Sequence, residues 1–145
     1  MVLGTTSGAG KSWLTTALCR YYSNQGLKVA PFKAQNMSNN ARVVPGPADV
    51  MGEIGSAQYF QALAARAEPE VRMNPLLLKP EADTHSQVVL MGQVSAELTA
   101  MPWRGRSEKV WPQIAAALDA LRAENDVVVI CLLYTSPSPR DQRGS

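Results

Sequence analysis

The segment that most restricts the fold of this chain is a glycine-rich loop near its start, GTTSGAGKS at positions 4–12. It lies between an apolar stretch typical of a strand end and a helical pattern. Glycines let several backbone N–H groups converge on one anion, and the helix that follows adds its free N–H groups. A lysine there reaches the β- and γ-phosphates, and a serine hydroxyl binds Mg²⁺. The loop therefore predicts a site for ATP and Mg²⁺.

Each position of this loop has a predicted role. Lys11 is the predicted catalytic lysine and Ser12 a predicted ligand of Mg²⁺. The residues predicted to contact the nucleotide are Thr5, Thr6, Ser7, Gly8, Ala9, Gly10, Lys11 and Ser12.

The loop also departs from the generic phosphate-loop pattern. The usual first glycine, five residues before the Gly-Lys pair, is here Thr5, and the glycine stands one position earlier as Gly4. ATPases of the partition type carry a second lysine near the start of the loop, where this chain has Thr6. A nucleotide-switch protein of that type is therefore the disfavoured alternative.

Hydrophobic periodicity predicts an α/β protein. A helix is expected over 11–25, with Leu14, Ala17, Leu18 and Tyr21 on its apolar face and Gly26 ending it, and a strand over 28–32 follows. Strand, glycine loop, helix and strand form half of a doubly wound, mostly parallel sheet. Further predicted elements are a loop over 33–52, helices over 53–67 and 107–124, the second capped by Ser107, and strands over 87–91 and 126–130.

A polar segment after the second predicted strand is the next candidate for function. Lys33 ends that strand, at the sheet edge where open α/β sheets bind ligands, and is predicted to neutralise a transferring phosphoryl group. The residues predicted to bind substrate here are Gln35, Asn36, Ser38, Asn39 and Asn40. Their amides and hydroxyl suit a substrate rich in amides and carboxylates. The alternative is a solvated loop with turn-forming asparagines.

Composition narrows the setting of the protein. The chain has 145 residues, of which 46% are hydrophobic and 18% charged, with a net charge of +2. These values fit one soluble domain and disfavour nucleic acid and membranes as partners. Cys19 and Cys131 are too few for a disulfide framework, and no signal peptide is recognisable. We therefore expect a cytoplasmic protein.

Five segments in natural order and spacing make the chain similar to a known family. They are GTTSGAGKS, APFKAQNMSNN, GEIGSAQ, MNPLLLKP and DTHSQVV, and they resemble cobyric acid synthases over residues 1–130. The resemblance implies an ATPase domain similar to dethiobiotin synthetase, followed by a class I glutaminase domain. It implies ATP-dependent amidation of carboxylates on adenosylcobyrinic acid a,c-diamide through an acyl phosphate. Cobyrinic acid a,c-diamide synthase and dethiobiotin synthetase are related alternatives, which the QNMSNN segment disfavours.

The same resemblance implies further site residues. Glu53, at the start of a predicted helix, is the candidate carboxylate for Mg²⁺, although charge at a helix N-terminus would also explain it. Gln87 is a predicted substrate residue, and Asn74 could line the same site. Lys79 and Asp83 line that site or form a surface pair.

Other polar and aromatic residues are weaker candidates. Thr84 and Ser86 could line the substrate site with Gln87. His85 is expected to be a loop residue rather than a base. Trp103 and Trp111 are expected to be packing residues rather than a platform for a ligand.

The end of the chain departs from the family pattern. After the strand over 126–130 the family has Glu-Gly-Ala-Gly-type residues, where this chain has Cys131-Leu132-Leu133-Tyr134. We therefore expect 1–130 to be a partial ATPase domain and 131–145 a disordered, non-native tail. Genuine divergence is the alternative. The resemblance further implies that the sheet is incomplete, that the glutaminase domain is absent, and that the fragment folds poorly and is inactive.

Overall fold

The computed structural model describes residues 1–4, 10–82 and 85–132. In these ranges the chain forms strands and helices in a mixed order, together with single 3-10 turns at Pro47–Asp49 and Val71–Met73. The elements are β1 (Val2–Leu3), α1 (Lys11–Asn24), β2 (Val29–Phe32), β3 (Gln35–Met37), β4 (Ala41–Pro45), β5 (Met51–Gly55), α2 (Ser56–Ala64), β6 (Leu76–Pro80), β7 (Ser86–Leu90), β8 (Gln93–Val94), α3 (Ala96–Ala100), α4 (Trp103–Glu124) and β9 (Val127–Leu132). None of these helices is long and apolar enough to cross a membrane.

A parallel sheet of order β1–β9–β2 carries the predicted nucleotide end of the chain. Val2 pairs with Cys131, and β2 pairs with β9 from Val29–Val127 to Phe32–Ile130. All of β2 is buried, as expected for a parallel strand covered on both faces. The α/β class with a parallel sheet is therefore confirmed.

Helices cover both faces of this sheet. On one face, Cys19 of α1 packs with Val29 and Val129. On the other face, Ala30 and Phe32 belong to a core that includes the buried face of α4. The α4 residues in that core are Val110, Ile114, Ala117 and Leu121, whose spacing of three or four residues places them on one face of the helix.

A second sheet extends the molecule beyond β2. Its order is β3–β6–β7–β8; β3 pairs with β6 in parallel, while β7 pairs antiparallel with both β6 and β8. The chain passes from the first sheet to the second at Lys33 and Ala34, which link β2 to β3. Strands β4 and β5 form a separate antiparallel hairpin. Lys33 thus lies at the junction of the two sheets.

The predicted loop over 33–52 is wrong, because it contains β3, β4 and the start of β5. Polar Gln35–Met37 lacks the branched residues typical of strands, and β3 forms by pairing with β6, some forty residues away in sequence. The helix predicted from residue 53 begins instead at Ser56. Ile54, which lies within that predicted helix, pairs instead with Arg42 in the hairpin.

The predicted apolar face of α1 is also wrong. The helix buries Lys11, Thr15 and Cys19, whereas Leu14 and Tyr21 are 52% and 56% exposed. The side of α1 that meets the sheet is the one that carries Lys11 and Cys19. The C-terminal stop is confirmed: Gly26 has φ 83°, and Leu27 N donates to Tyr22 O at 3.3 Å.

Two other boundaries differ from the predictions. Helix α4 begins at Trp103, so Ser107 lies inside it, where its hydroxyl donates to Arg104 O at 2.9 Å. Strand β9 continues through Cys131 and Leu132, two residues into the segment expected to be a tail. Residues 133–145 lie outside the described part, so the proposed tail stays a prediction there.

Candidate nucleotide site

Lys11 opens α1 directly after the glycine loop. Gly10 precedes it with φ 78°, a left-handed conformation that favours glycine. The Lys11 side chain is only 6% exposed although it carries a charge. The nucleotide contacts predicted for Thr5, Thr6, Ser7, Gly8 and Ala9 concern residues outside the described ranges and stay predictions. Lys11 therefore has the position at the N-terminus of a helix that the loop predicted, within the buried part of the molecule.

Lys33 approaches the same place from the end of β2. Its side chain is 8% exposed, and its backbone N donates to Met73 O at 2.9 Å. Burial lowers the pKa of Lys33; Cys131 acts in the opposite direction, and the positive charge of Lys11 lowers that pKa further. Lys11 and Lys33 are therefore close enough to repel each other, as two predicted phosphate ligands should be.

A buried chain of amides holds the Lys33 ammonium group. Lys33 Nζ donates to Asn36 Oδ1 at 2.9 Å, and Asn36 Nδ2 donates to Gln58 Oε1 at 3.0 Å. Asn36 is 6% exposed, and Gln58 of α2 is fully buried. Asn36, predicted as a substrate residue, thus contacts Lys33 directly.

Asn74 lies beneath this network and joins three segments. Its Oδ1 accepts from Gly55 N at 2.9 Å, and its Nδ2 donates to Lys33 O and to Leu76 O, each at 3.1 Å. The side chain is fully buried. Asn74 therefore fixes the end of β2 against the start of β6 and the residue before α2, rather than lying on an open surface.

Ser12 lies in the first turn of α1, where it is exposed. Its backbone carbonyl accepts from Thr16 Oγ1 at 2.7 Å and from Gln61 Nε2 at 3.5 Å. Gln61 is buried in α2, so this helix reaches both the Ser12 backbone and, through Gln58, the Lys33 network. No sequence pattern distinguishes Gln58 or Gln61 as a site residue, since both fall in an ordinary helical pattern.

Glu53 is not at a helix start, which removes the helix-dipole alternative, while its role as a ligand of Mg²⁺ stays a prediction. It lies in β5, and its carboxylate pairs with Lys79 Nζ at 3.1 Å. Both side chains of this pair are about one-third exposed or less, at 32% and 26%. Lys79 therefore pairs with Glu53, and the alternative pair with Asp83 lies outside the described residues.

The remaining predicted substrate residues lie around the β3–β4 connection and on β7. Asn39 and Asn40 are exposed, while Gln35, Ser38 and Gln87 are half-buried. Ser38 Oγ accepts from Asn40 N at 3.0 Å, and Asn40 O accepts from Ser56 N at 2.9 Å. The connection is thus tied to the first residue of α2.

Three residues that were not predicted to bind a ligand are His85, Trp103 and Trp111. His85 is exposed beside β7, and its backbone carbonyl accepts from Glu81 N at 2.7 Å. Trp103 and Trp111 are 48% and 63% exposed on α4, and the Arg106 guanidinium lies over the Trp103 ring at 5.3 Å from its centroid.

A glycine loop leading into a helix, two buried lysines and parallel strands with helices on both faces define a phosphate-loop nucleotide-binding domain. A family model agrees: the CobQ/CobB/MinD/ParA nucleotide binding domain matches residues 1–128. The chain belongs to this family.

Individual relatives identify a particular enzyme within this family. The chain is 87% identical over 130 residues to the cobyric acid synthase of Acidovorax sp. (strain JS42), covering 90% of this chain and 26% of that protein. It is 88% identical over 130 residues to the cobyric acid synthase of Variovorax paradoxus (strain S110), with the same coverage of both proteins. These similarities confirm the resemblance found in the five segments. The chain spans about a quarter of the length of these relatives, and no solved structure matches it.

Proposed function

We propose that this chain supplies the ATP site of a cobyric acid synthase, an enzyme that amidates corrinoid carboxylates. The observation that carries the proposal is the pair of buried lysines, Lys11 and Lys33, within electrostatic reach of each other. The names of relatives that are 87% and 88% identical support the choice of reaction.

Two buried like charges are costly unless an anion lies between them. Lys33 Nζ donates to the amide oxygen of Asn36, a neutral group that does not offset its charge. The triphosphate of ATP is an anion of the right kind, because Lys11 at the helix N-terminus and Lys33 at the strand end can contact neighbouring phosphoryl groups. Binding ATP would then offset the repulsion between the Lys11 and Lys33 ammonium groups.

The reaction follows from the weakness of a carboxylate as an electrophile. A substrate carboxylate oxygen bonds to the γ-phosphorus, the bond to the bridging oxygen breaks, and ADP leaves. Ammonia then attacks the acyl phosphate and releases inorganic phosphate, giving the amide. The chain's share is to position the reactants and stabilise charge on the transferring group through Lys11 and Lys33. We propose that the ammonia comes from glutamine, hydrolysed by a part of the enzyme outside this chain.

The corrinoid is proposed to lie against the amide-rich connection after β3 and the nearby face of β7. Gln35, Ser38, Asn39, Asn40 and Gln87 are the half-buried or exposed groups there, and they offer both donors and acceptors. Such groups match a substrate with amides and carboxylates around its rim. Asn36 would act on the substrate only through Lys33, since both ends of its amide contact protein groups.

Mg²⁺ is proposed as the metal that accompanies ATP, and when bound it would neutralise phosphate charge. The Ser12 hydroxyl fits this role, since the residue is exposed in the first turn of α1. Glu53 fits only by exchanging its partner Lys79 for the metal. We further propose a cytoplasmic location, no nucleic acid partner, and no amidation by this chain on its own.

A chimeric enzyme tests the reaction. The 130 matching residues of the Acidovorax sp. protein are replaced by those of this chain, and corrinoid-dependent phosphate release is measured with ammonium as the nitrogen source. We expect turnover with adenosylcobyrinic acid a,c-diamide and loss of turnover on Lys11→Ala. A folded chimera that binds ATP but releases no phosphate with any corrinoid would refute the proposed reaction.

A further inference from the structure

The position of the Lys33 ammonium group depends on a residue in another element. Lys33 Nζ bonds to Asn36 at 2.9 Å, and Asn36 bonds to Gln58 in α2 at 3.0 Å. All three side chains are at least nine-tenths buried, with Gln58 at 0% exposure. The backbones of Lys33 and Gly55 are also linked. The Asn74 side chain donates to Lys33 O and accepts from Gly55 N, the residue before α2.

Hydrogen-bond chemistry fixes the direction of the network. An ammonium group only donates, so Asn36 must turn its oxygen to Lys33 and its NH₂ group outward. Gln58 must then present its oxygen to Asn36. Its own NH₂ group is left buried and without a partner in the described part of the chain. A buried donor left unpaired costs free energy, so a leucine or methionine would suit this position better if packing alone mattered.

We propose that Gln58 is a positioning residue for phosphoryl transfer, which acts through Asn36 to aim the Lys33 ammonium group at the phosphates. The inference rests on the proposed function of Lys33. Gln58 itself does not touch the nucleotide. Without its oxygen, the Asn36 amide loses the contact that orients it, and Lys33 loses a fixed acceptor.

The first test measures Lys33 itself and needs neither ATP nor corrinoid. The 145-residue chain is acetylated with limiting acetic anhydride over a range of pH, and each lysine is quantified by mass spectrometry. The other charged or titratable groups that act on Lys33 are Lys11 of α1 and Cys131 of β9, and both stay unchanged in the variants. Gln58→Met keeps the volume and removes the amide. Gln113→Met, on the exposed side of α4, is the matched control.

In Gln58→Met, the charged form of Lys33 loses a well-placed acceptor, so its pKa falls. We expect Lys33 to be acetylated about fivefold faster at a fixed pH, the effect of one hydrogen bond. Lys28 and Lys79 serve as internal references. Gln113→Met should leave Lys33 at the wild-type rate. An unchanged Lys33 rate in a folded Gln58→Met protein would overturn the proposal.

A second variant separates positioning from packing and covers the case in which Gln58→Met fails to fold. Gln58→Glu keeps an oxygen that accepts from Asn36 and adds negative charge, so Lys33 should be acetylated no faster than in the wild type. If Gln58 only packs, the buried charge should loosen α2 and make Lys33 react faster in Gln58→Glu than in the wild type. That order of rates would contradict the proposal.

ATP affinity measured on the same variants distinguishes the two proposals. We expect Gln58→Met to raise the Kd for ATP about fivefold. In Gln58→Glu, Lys33 should again be acetylated no faster than in the wild type. Lys33 acetylation could change as expected while ATP affinity stays the same. Gln58 would then act on Lys33, but the proposed contact of Lys33 with phosphate would be wrong. The proposed role of Gln58 in phosphoryl transfer would fall with that contact.

Discussion

Gly55 lies directly against the amide of Asn36. A Cβ at residue 55 would overlap Asn36 Nδ2 and would come within 2.7 Å of Gln58 Oε1. The glycine between β5 and α2 is therefore required by the close approach of two buried amides, even though its own backbone conformation is open to any residue. The contact ties the start of α2 to the group that holds Lys33.

Gly55→Ala should consequently disrupt the amide network. Overpacking of this kind costs about 1–3 kcal/mol, and it should also raise the acetylation rate of Lys33. The measurement is urea unfolding combined with lysine acetylation. Gly105→Ala is the control, because a Cβ there, in the first turn of α4, meets nothing closer than 3.5 Å and should stabilise the helix by at most about 0.5–1 kcal/mol. Equal free energies of unfolding for the two variants would contradict this view of Gly55.

The thiol of Cys19 gives a pH dependence with a defined sign. Burial raises its pKa from 9.0 to about 12. Between these values the unfolded chain loses the Cys19 proton and the folded chain keeps it, so this thiol makes the protein less stable as the pH rises. The pKa of Lys33 is lowered in the folded protein, so this group makes the protein more stable as the pH rises.

The contribution of Cys19 is isolated by comparing Cys19→Ala with the wild type. The difference in free energy of unfolding should change by about 1.4 kcal/mol per pH unit above pH 9.0. Urea unfolding at a series of pH values measures it. A difference that stays constant with pH would show that the Cys19 thiolate is accommodated in the folded protein.

Glu53 offers a test of the proposed metal site. If it exchanges Lys79 for Mg²⁺, Glu53→Gln should weaken Mg²⁺-dependent ATP binding by about tenfold and leave binding without Mg²⁺ unchanged. Lys79→Met is the matched control, since it removes the other half of the 3.1 Å ion pair and leaves the carboxylate in place. If Glu53→Gln and Lys79→Met weaken ATP binding equally, with or without Mg²⁺, Glu53 acts only as the partner of Lys79 and not as a metal ligand.

The sequence predicted the parts of the fold that depend on local patterns. The parallel strands β2 and β9 and the buried face of α4 follow from runs and periods of apolar residues, and Gly26 ends α1 as its position indicates. The glycine loop predicted where Lys11 would stand relative to a helix.

The errors arose where distant segments determine the structure. Gln35–Met37 is a strand because β6 pairs with it. Glu53 lies in a strand because β4 pairs with β5. The roles of Asn74 and Gln58 depend on hydrogen bonds to residues 41 and 22 positions away, and no local pattern carries that information. The sequence therefore identified the two lysines, and the structure identified the amides that hold one of them.

ATP titration of lysine variants tests the central claim, that buried Lys11 and Lys33 together bind phosphate. The Kd for ATP is measured by calorimetry for the wild type, Lys11→Ala, Lys33→Ala and Lys28→Ala, the last being an exposed lysine one residue before β2. We predict that Lys11→Ala and Lys33→Ala each raise the Kd by about 10- to 100-fold, as the loss of a charged hydrogen bond requires, and that Lys28→Ala does not. Equal ATP affinity in all four proteins would contradict the claim.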